Sequence, residues 1–273
     1  MTKKKSDGDI SDREVEDVEA NAHLRPRIVY EIVRQEGKDE LARPAISLWW
    51  SGIAAGLSIS FSLLTQAILN LHLPDAPWRP LVSGLGYSVG FLMVVLSRQQ
   101  LFTENTITVI LPLLARFTRG NLVGVARMWS IVFVANILGV LFAAAFCTYA
   151  PVLSPDVRQA MLDISRAGFA HGWWEMLFRA VSAGFLIAAM VWLIPSAGGA
   201  EFSVVVLMTY LIAIGDFVHI VAGSMEGFML LLAGQLSIAH MVLGFMVPAL
   251  IGNVIGGSAL FALISYAQVM EEI

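Results

Sequence analysis

Six long apolar stretches follow a charged head, and that pattern leaves a chain very few folds. They run at about 45–69, 81–115, 124–150, 172–195, 200–234 and 241–268. Each reaches the roughly 20 residues that an α-helix needs to cross a hydrocarbon core. Lipid offers no hydrogen bonds, so a spanning backbone must be helical or closed into a barrel, and continuous runs of this length are helical. Composition agrees, since 57% of the 273 residues are hydrophobic and 14% are charged, far from a soluble domain. The sequence predicts an all-α integral membrane protein.

Of the 38 charged residues, 20 precede position 45. Residues 1–26 have too few apolar side chains to bury and read as a disordered cytoplasmic tail. They carry no apolar run that would make a secretory signal. Over 27–44, Ile28 and Ile32, and Val29 and Val33, recur at helical spacing beside Arg34, Lys38 and Arg43. This predicts an amphipathic helix lying on an anionic leaflet. Residues 45–268 then form a six-span transmembrane channel domain, and 269–273 a cytoplasmic C-terminus. The nine Lys and Arg before position 45, with Arg116, Arg119 and Arg127 after the second span, place both termini on the cytoplasmic side.

Two stretches, 81–115 and 200–234, are too long for one crossing. One contains SRQQLFTENTITVILP and the other GDFVHIVAGSMEGF. Both read as broken helices, and a break at membrane depth must be enclosed in protein or line a cavity. Each is followed by a span with Asn-x-x-Gly: Asn136 and Gly139, then Asn253 and Gly256. Plain helix, broken helix and Asn-x-x-Gly helix thus occur twice, and three spans per half make the second copy inverted. The small residues read as packing devices.

Ionisable residues within spans are costly and mark candidate sites. Here they are Arg98, Glu104, Glu175, Arg179, Asp216, His219 and Glu226. Glu175 and Arg179, four apart, suit an interfacial ion pair. His219 lies at the second break between Gly215 and Gly223, where a titrating ring meets freed backbone N–H groups. Asp216 is placed either to cap the second half-helix or to pair with Arg98. Thr103 and Asn105 are suited to cap the helix that restarts after the first break. A hydroxyl and amide N–H groups facing a histidine make a small-anion site in an apolar tunnel. The lone Cys147 forms no internal disulfide and no metal cluster, and no motif calls for a cofactor, a metal or nucleic acid. An intramembrane enzyme is disfavoured, because no nucleophile and base pair or HExxH segment is present.

LFTENT, FVHIVAG and GNVIGG, in that order and at that spacing, resemble the signature segments of the formate/nitrite transporter family over residues 28–268. The resemblance implies an aquaporin-like six-helix protomer of two inverted three-helix repeats, with helices 2 and 5 broken. It further implies a homopentamer in a bacterial inner membrane, with lipid on its fivefold axis. Each protomer would hold a pore for a small monovalent anion such as formate, nitrite or hydrosulfide, or for its neutral acid. Thr103 and His219 are then the substrate-pore residues, and Leu101, Phe102, Tyr87, Phe91, Ile187 and Ile212 the constrictions. Arg98, Gln100, Glu104, Asn105 and Asp216 stand where gating or selectivity is set. The chain departs from the family pattern at Arg98-Gln99-Gln100, where Gly-Ala-acid is usual. Gly223 and Gly184 each replace an Asn, and no lysine matches the vestibule lysine of formate channels. An isolated carboxylate loses its hydration in a dry pore, whereas a weak acid escapes that cost by taking a proton, from His219 or from water. The alternative is a non-conducting pentamer of the same fold, plugged by Arg98, Glu104 and Asp216.

Overall fold

The computed structural model describes residues 24–272, and their regular structure is helical. The helices are α1 Pro26–Ala42, α2 Ala45–His72, α3 Arg79–Leu96, α4 Asn105–Ala115 and α5 Arg119–Tyr149. They continue as α6 Pro155–Gly168, α7 Trp173–Ser196, α8 Glu201–Ile214, α9 Ile220–Leu232 and α10 His240–Val269. Five of them, α2, α3, α5, α7 and α10, are long and apolar enough to cross a membrane. The fifth apolar stretch is divided into α8 and α9, of 14 and 13 residues. Each is about 20 Å long at 1.5 Å per residue, so the two cross only end to end. The second stretch is divided likewise into α3 and α4.

The tail expected over residues 1–26 lies, but for its last three positions, outside the described residues. α1 follows it as expected, yet its apolar face is turned inward. Val29, Tyr30 and Val33 are buried against Ile107 and Leu111 of α4 and Ala262 and Val269 of α10. The expectation of a helix resting its apolar stripe on the leaflet is corrected here. Short α4 leaves an apolar flank, and α1 covers it. Its outer side is polar, with Arg34 paired to Glu31.

A second difference is α6, in a stretch that the hydropathy reading left as a loop. Ser154 Oγ accepts from Val157 N–H at 3.3 Å, Pro155 holds the first helical position and Asp156 the first turn. These are helix-start signals available in the sequence. α6 buries Ala160, Met161 and Leu162 over α9 and the end of α2. Like α1, it covers a half-helix too short to reach the surface alone.

α7 packs closely along α10, and the contact accounts for one departure from the family pattern. A Cβ at Gly184 would lie 2.3 Å from the Asn253 carbonyl oxygen, so no side chain fits there. Forcing a methyl group into such a contact costs typically about 1–3 kcal/mol. Gly184→Ala is therefore expected to lower the thermal unfolding midpoint of the detergent-purified protein. An unchanged midpoint would show that α7 and α10 can part freely.

Candidate functional site

α3 and α8 end in the same motif. Gln99 N–H donates to Val94 O at 3.0 Å and Arg98 N–H to Val95 O at 3.0 Å; Phe217 N–H donates to Ile212 O at 3.0 Å and Asp216 N–H to Ala213 O at 3.2 Å. This is a Schellman cap, whose pivot is left-handed and usually glycine. At the end of α9 the pivot is indeed Gly234, with φ 70°. At the two breaks the pivots are Arg98 (φ 53°) and Asp216 (φ 52°), which costs about 1–2 kcal/mol at each.

Both pivots are held by their side chains. Arg98 Nη2 lies 2.9 Å from Glu36 Oε1 on α1. Asp216 Oδ2 accepts from Arg179 Nη1 at 2.8 Å and faces His171 Nε2 at 2.8 Å. Asp216 therefore neither caps α9 nor meets Arg98, and Arg98 pairs with Glu36 rather than with Glu104. The two breaks are approached from opposite ends of the bundle, which keeps their pivots apart, and the plug of Arg98, Glu104 and Asp216 in the alternative reading is not formed. The Glu175–Arg179 pair is present at 2.8 Å. His171 Nδ1 also faces Glu175 Oε1 at 3.0 Å, so the pair belongs to a four-residue network around Asp216.

Beyond each pivot an asparagine holds the open backbone. Asn136 Oδ1 accepts from Phe102 N–H at 2.9 Å, and its Nδ2 donates to Gly52 O at 2.8 Å and Gln100 O at 2.9 Å. Asn253 Oδ1 accepts from Ile220 N–H at 2.8 Å, and its Nδ2 donates to Ala180 O at 2.8 Å and Val218 O at 2.9 Å. The packing reading of Asn-x-x-Gly suits its glycines and understates its asparagines. Each asparagine grips the residues on either side of one position: Leu101 in the first break, His219 in the second. These are equivalent places in two copies of one device.

His219 is the N-cap of α9, its Nδ1 accepting from Ala222 N–H at 3.1 Å. With Nδ1 an acceptor, the ring proton sits on Nε2, which donates to Thr103 Oγ1 at 2.6 Å. The structure thus joins the two residues that the sequence proposed for the pore, and both are buried. The Phe91 ring stands edge-on to the imidazole at 5.0 Å, with Tyr87 5.2 Å beyond it. The start of α4 differs from expectation, because no side chain caps it. Its N-cap position, Glu104, already has helical backbone (φ −65°, ψ −39°), which leaves Thr103 and Asn105 to other partners. Thr103 O accepts from Thr106 Oγ1 at 2.7 Å, and Asn105 Nδ2 donates to Gln100 Oε1 at 3.1 Å.

Two separate cavities approach this centre. One, of about 290 Å³, ends at His219 under α6 and is lined by Tyr87, Ile212, Asp216 and Glu226. The other, of about 340 Å³, lies beside α1 and is lined by Glu36, Glu40, Arg98, Gln100 and Glu104. α7 shows that they open on opposite sides: Arg179 reaches Asp216 at the first, and Val191 lines the second. Those two positions are about 18 Å apart along the helix. Leu101, Phe91, Ile187 and Thr103 are buried and line neither cavity. Phe102 also lines neither, its ring packing edge-on against Phe133 at 5.2 Å and Trp129 at 5.7 Å on α5.

Gln100 links the first break to α1, its Nε2 donating to Glu40 Oε1 at 3.1 Å. Burial pushes the Glu40 carboxyl up, against the hydrogen bonds from Gln100 and from Thr108. Glu40 was not a sequence candidate, because its position outside the spans hid its burial. Gly223 lies under the Phe245 ring, where a Cβ would stand 2.7 Å from Cζ. That ring fills the space in which the family pattern has an asparagine.

A family model described as formate/nitrite transporter matches residues 27–267. The chain is 42% identical over 248 residues to the inner membrane protein YfdC of Escherichia coli, covering 91% of this chain and 80% of that one. It is 24% identical to the formate channel FocA of Haemophilus influenzae, over 79% of this chain and 84% of that one. A solved pentameric formate channel with formate bound superposes with a TM-score of 0.70 at 18% identity, covering 83% of this chain and 98% of its own. A solved FNT family ion channel gives 0.76 at 18% identity, with 88% and 98% covered.

Two outcomes follow from the breaks. Asn136→Ala or Asn253→Ala leaves one N–H and one carbonyl of the break unpaired, at about 1–3 kcal/mol for each buried group, so either variant is expected to lose folded yield and thermal stability. Arg98→Gly gives up an exposed ion pair worth about 0–1 kcal/mol but removes left-handed strain of about 1–2 kcal/mol. Arg98→Gly is therefore expected to unfold at a higher temperature than Arg98→Ala. The reverse order would show that the pivot carries no strain.

Proposed function

The chain belongs to the formate/nitrite transporter family, and we propose that it is a channel or secondary transporter for a small monovalent weak acid. On this reading it works as a pentamer in a bacterial inner membrane, with both termini cytoplasmic. The observation that carries it is the Nε2–Thr103 hydrogen bond, 2.6 Å long, set between cavities of about 290 and 340 Å³ and beside the Phe91 ring. The α1-side cavity is then the cytoplasmic vestibule and the α6-side cavity the outer one. The halves are inverted repeats, which is supported by equivalent hydrogen bonds at matching positions of both breaks.

A small acid entering this barrier meets an N–H donor and a hydroxyl, and little else that is polar. The apolar residues keep water out, so an unprotonated anion would lose its hydration for only two hydrogen bonds. A neutral acid loses far less, and it can accept from Nε2–H and donate to Thr103 Oγ1. Transport as the protonated acid, with one proton moving alongside each anion, is the route this geometry favours. Tyr87 and Ile212 narrow the outer vestibule, and Leu101, Phe91 and Ile187 form the barrier. Phe102 supports it from behind, against α5. Gln100 and Asn105 fix the inner edge of the first break. A second reading, a pentamer that does not conduct, has in its favour that the two cavities do not meet.

Proteoliposomes under a pH gradient, offered formate, nitrite, hydrosulfide or acetate, separate the two. The expected result is flux of at least one, reduced at least tenfold in His219→Ala. His219→Asn serves as a control, because asparagine keeps an N-cap acceptor for α9, and it should restore stability without restoring flux. No flux of any of the four, with His219→Ala indistinguishable from wild type, would overturn the transport reading.

A further inference from the structure

His219 has one ring proton, on Nε2, and its Nδ1 lone pair already holds the first turn of α9. A second proton on Nδ1 would point at Ala222 N–H and break that cap. Loss of the existing proton would leave a buried imidazolate against the Phe91 ring. The histidine can bind an acid, but it is poorly placed to supply the proton that makes the acid neutral.

Among the described residues of the α6-side cavity, Glu226 is the one carboxyl group without an ion pair. On the α1-side wall Asp39, Glu40 and Glu104 all lack one, but Asp39 and Glu40 accept hydrogen bonds from neutral side chains. In the α1-side cavity Glu104 Oε1 is buried without a hydrogen-bond partner. Arg98 is turned to Glu36 at 2.9 Å. The charged groups facing Glu104 are Glu40 and Glu36 on α1 and Arg98 at the break, with Asp39 and Arg43 of α1 on the same cavity wall. In the α6-side cavity Glu226 sits seven residues beyond His219, on the same face of α9. It lies against Gly168 of α6, where a Cβ would stand 2.4 Å from its Oε2. The other titratable groups on that cavity wall are Asp216, His219 and Tyr87. Asp216 is held by Arg179 and His171, and no ion pair among the described residues reaches Glu226. Vestibules built to concentrate anions would carry cations at these places.

We propose that Glu226 and Glu104 are the proton-exchange groups at the two ends of the pore, one protonating the weak acid on entry and the other taking the proton back on exit. The inference rests on the weak-acid reading above and names the residues that exchange its proton. In the inward direction, the O–H bond of the Glu226 carboxylic acid breaks and the same proton bonds to the substrate carboxylate. The neutral acid crosses between His219 and Thr103, whose charges do not change. On the α1 side it returns the proton to the Glu104 carboxylate and leaves as the anion. Water on each side restores the starting state of its own glutamate. One proton accompanies one anion, and reversing the steps gives export.

The test is flux into proteoliposomes of the wild type and of Glu104→Gln, Glu226→Gln and the double variant, with formate and with nitrate, the anion of a strong acid, from pH 5 to pH 8. Wild type is expected to carry formate faster as the pH falls and to exclude nitrate. The double variant should lose at least tenfold in formate flux and flatten the pH profile, and the Asp variants should restore the slope. A double variant with the wild-type rate and pH profile, or nitrate carried as fast as formate, would overturn the inference while leaving the transport reading intact. Failure of wild type to carry formate or any other weak acid would overturn both. If the Gln variants do not assemble, Glu104→Ala and Glu226→Ala, which leave no polar side-chain atom to bury, take their place with the same expected loss and the same overturning result.

Discussion

An unpaired backbone group has nowhere to turn inside a bilayer, and the rest of this structure depends on how two of them are paired. The chain breaks two of its spans, which in water would be trivial and in lipid costs several kcal/mol for each orphaned group. Asn136 and Asn253 resolve this with one amide side chain apiece, each pairing one orphaned N–H and one orphaned carbonyl of its break and tying them to a carbonyl within a neighbouring helix. A grip of that kind fixes the direction of the residue it encloses. Leu101 and His219 are therefore aimed rather than merely buried. The first contributes a wall, and the second a polar group at the end of a cavity.

The helix ends that lead into the breaks show a local rule set aside twice. Arg98 and Asp216 occupy a left-handed position where the same cap at the end of α9 has Gly234. A residue that breaks a conformational rule at a functional site usually does so for its side chain. Here the side chains reach outward, to Glu36 on α1 and to Arg179 and His171 beside α7. Glycine could make either turn, but it could not tie the break to the element that covers it. The strain and the tie are two aspects of one choice.

Much of this was legible in the residues and some was not, for a consistent reason. Span lengths and the two breaks follow from hydropathy along the chain, and the pairing of Thr103 with His219 from the resemblance to the family's signature segments. Partners across the bundle do not. Asp216 looked equally ready to cap α9 or to meet Arg98, and it did neither, because the two pivots face different cavities on opposite sides of the bundle and Arg179 lay closer. Glu40 was invisible because its burial comes from packing of α1 on α4. The inward turn of that helix depends on a flank that only the folded half-helices expose. α6 is a different case: Ser154, Pro155 and Asp156 announce a helix, and the weight given to hydropathy hid it.

The departures from the family pattern then acquire physical reasons. Gly184 is required by the Asn253 carbonyl, and Gly223 makes room for the Phe245 ring, so at two positions where the family pattern has an asparagine neighbouring elements touch instead. Gln100 is drawn away from the path by Glu40 and Asn105. Each change takes polarity out of the barrier itself. What remains there is one hydroxyl and one imidazole N–H, and the charge that a weak acid must exchange lies further out, in the carboxyl groups of the two vestibules. A barrier stripped in this way discriminates by how much hydration a solute must give up. On the proposed reading it would hold back a permanent anion and admit one that can be neutralised in the vestibule.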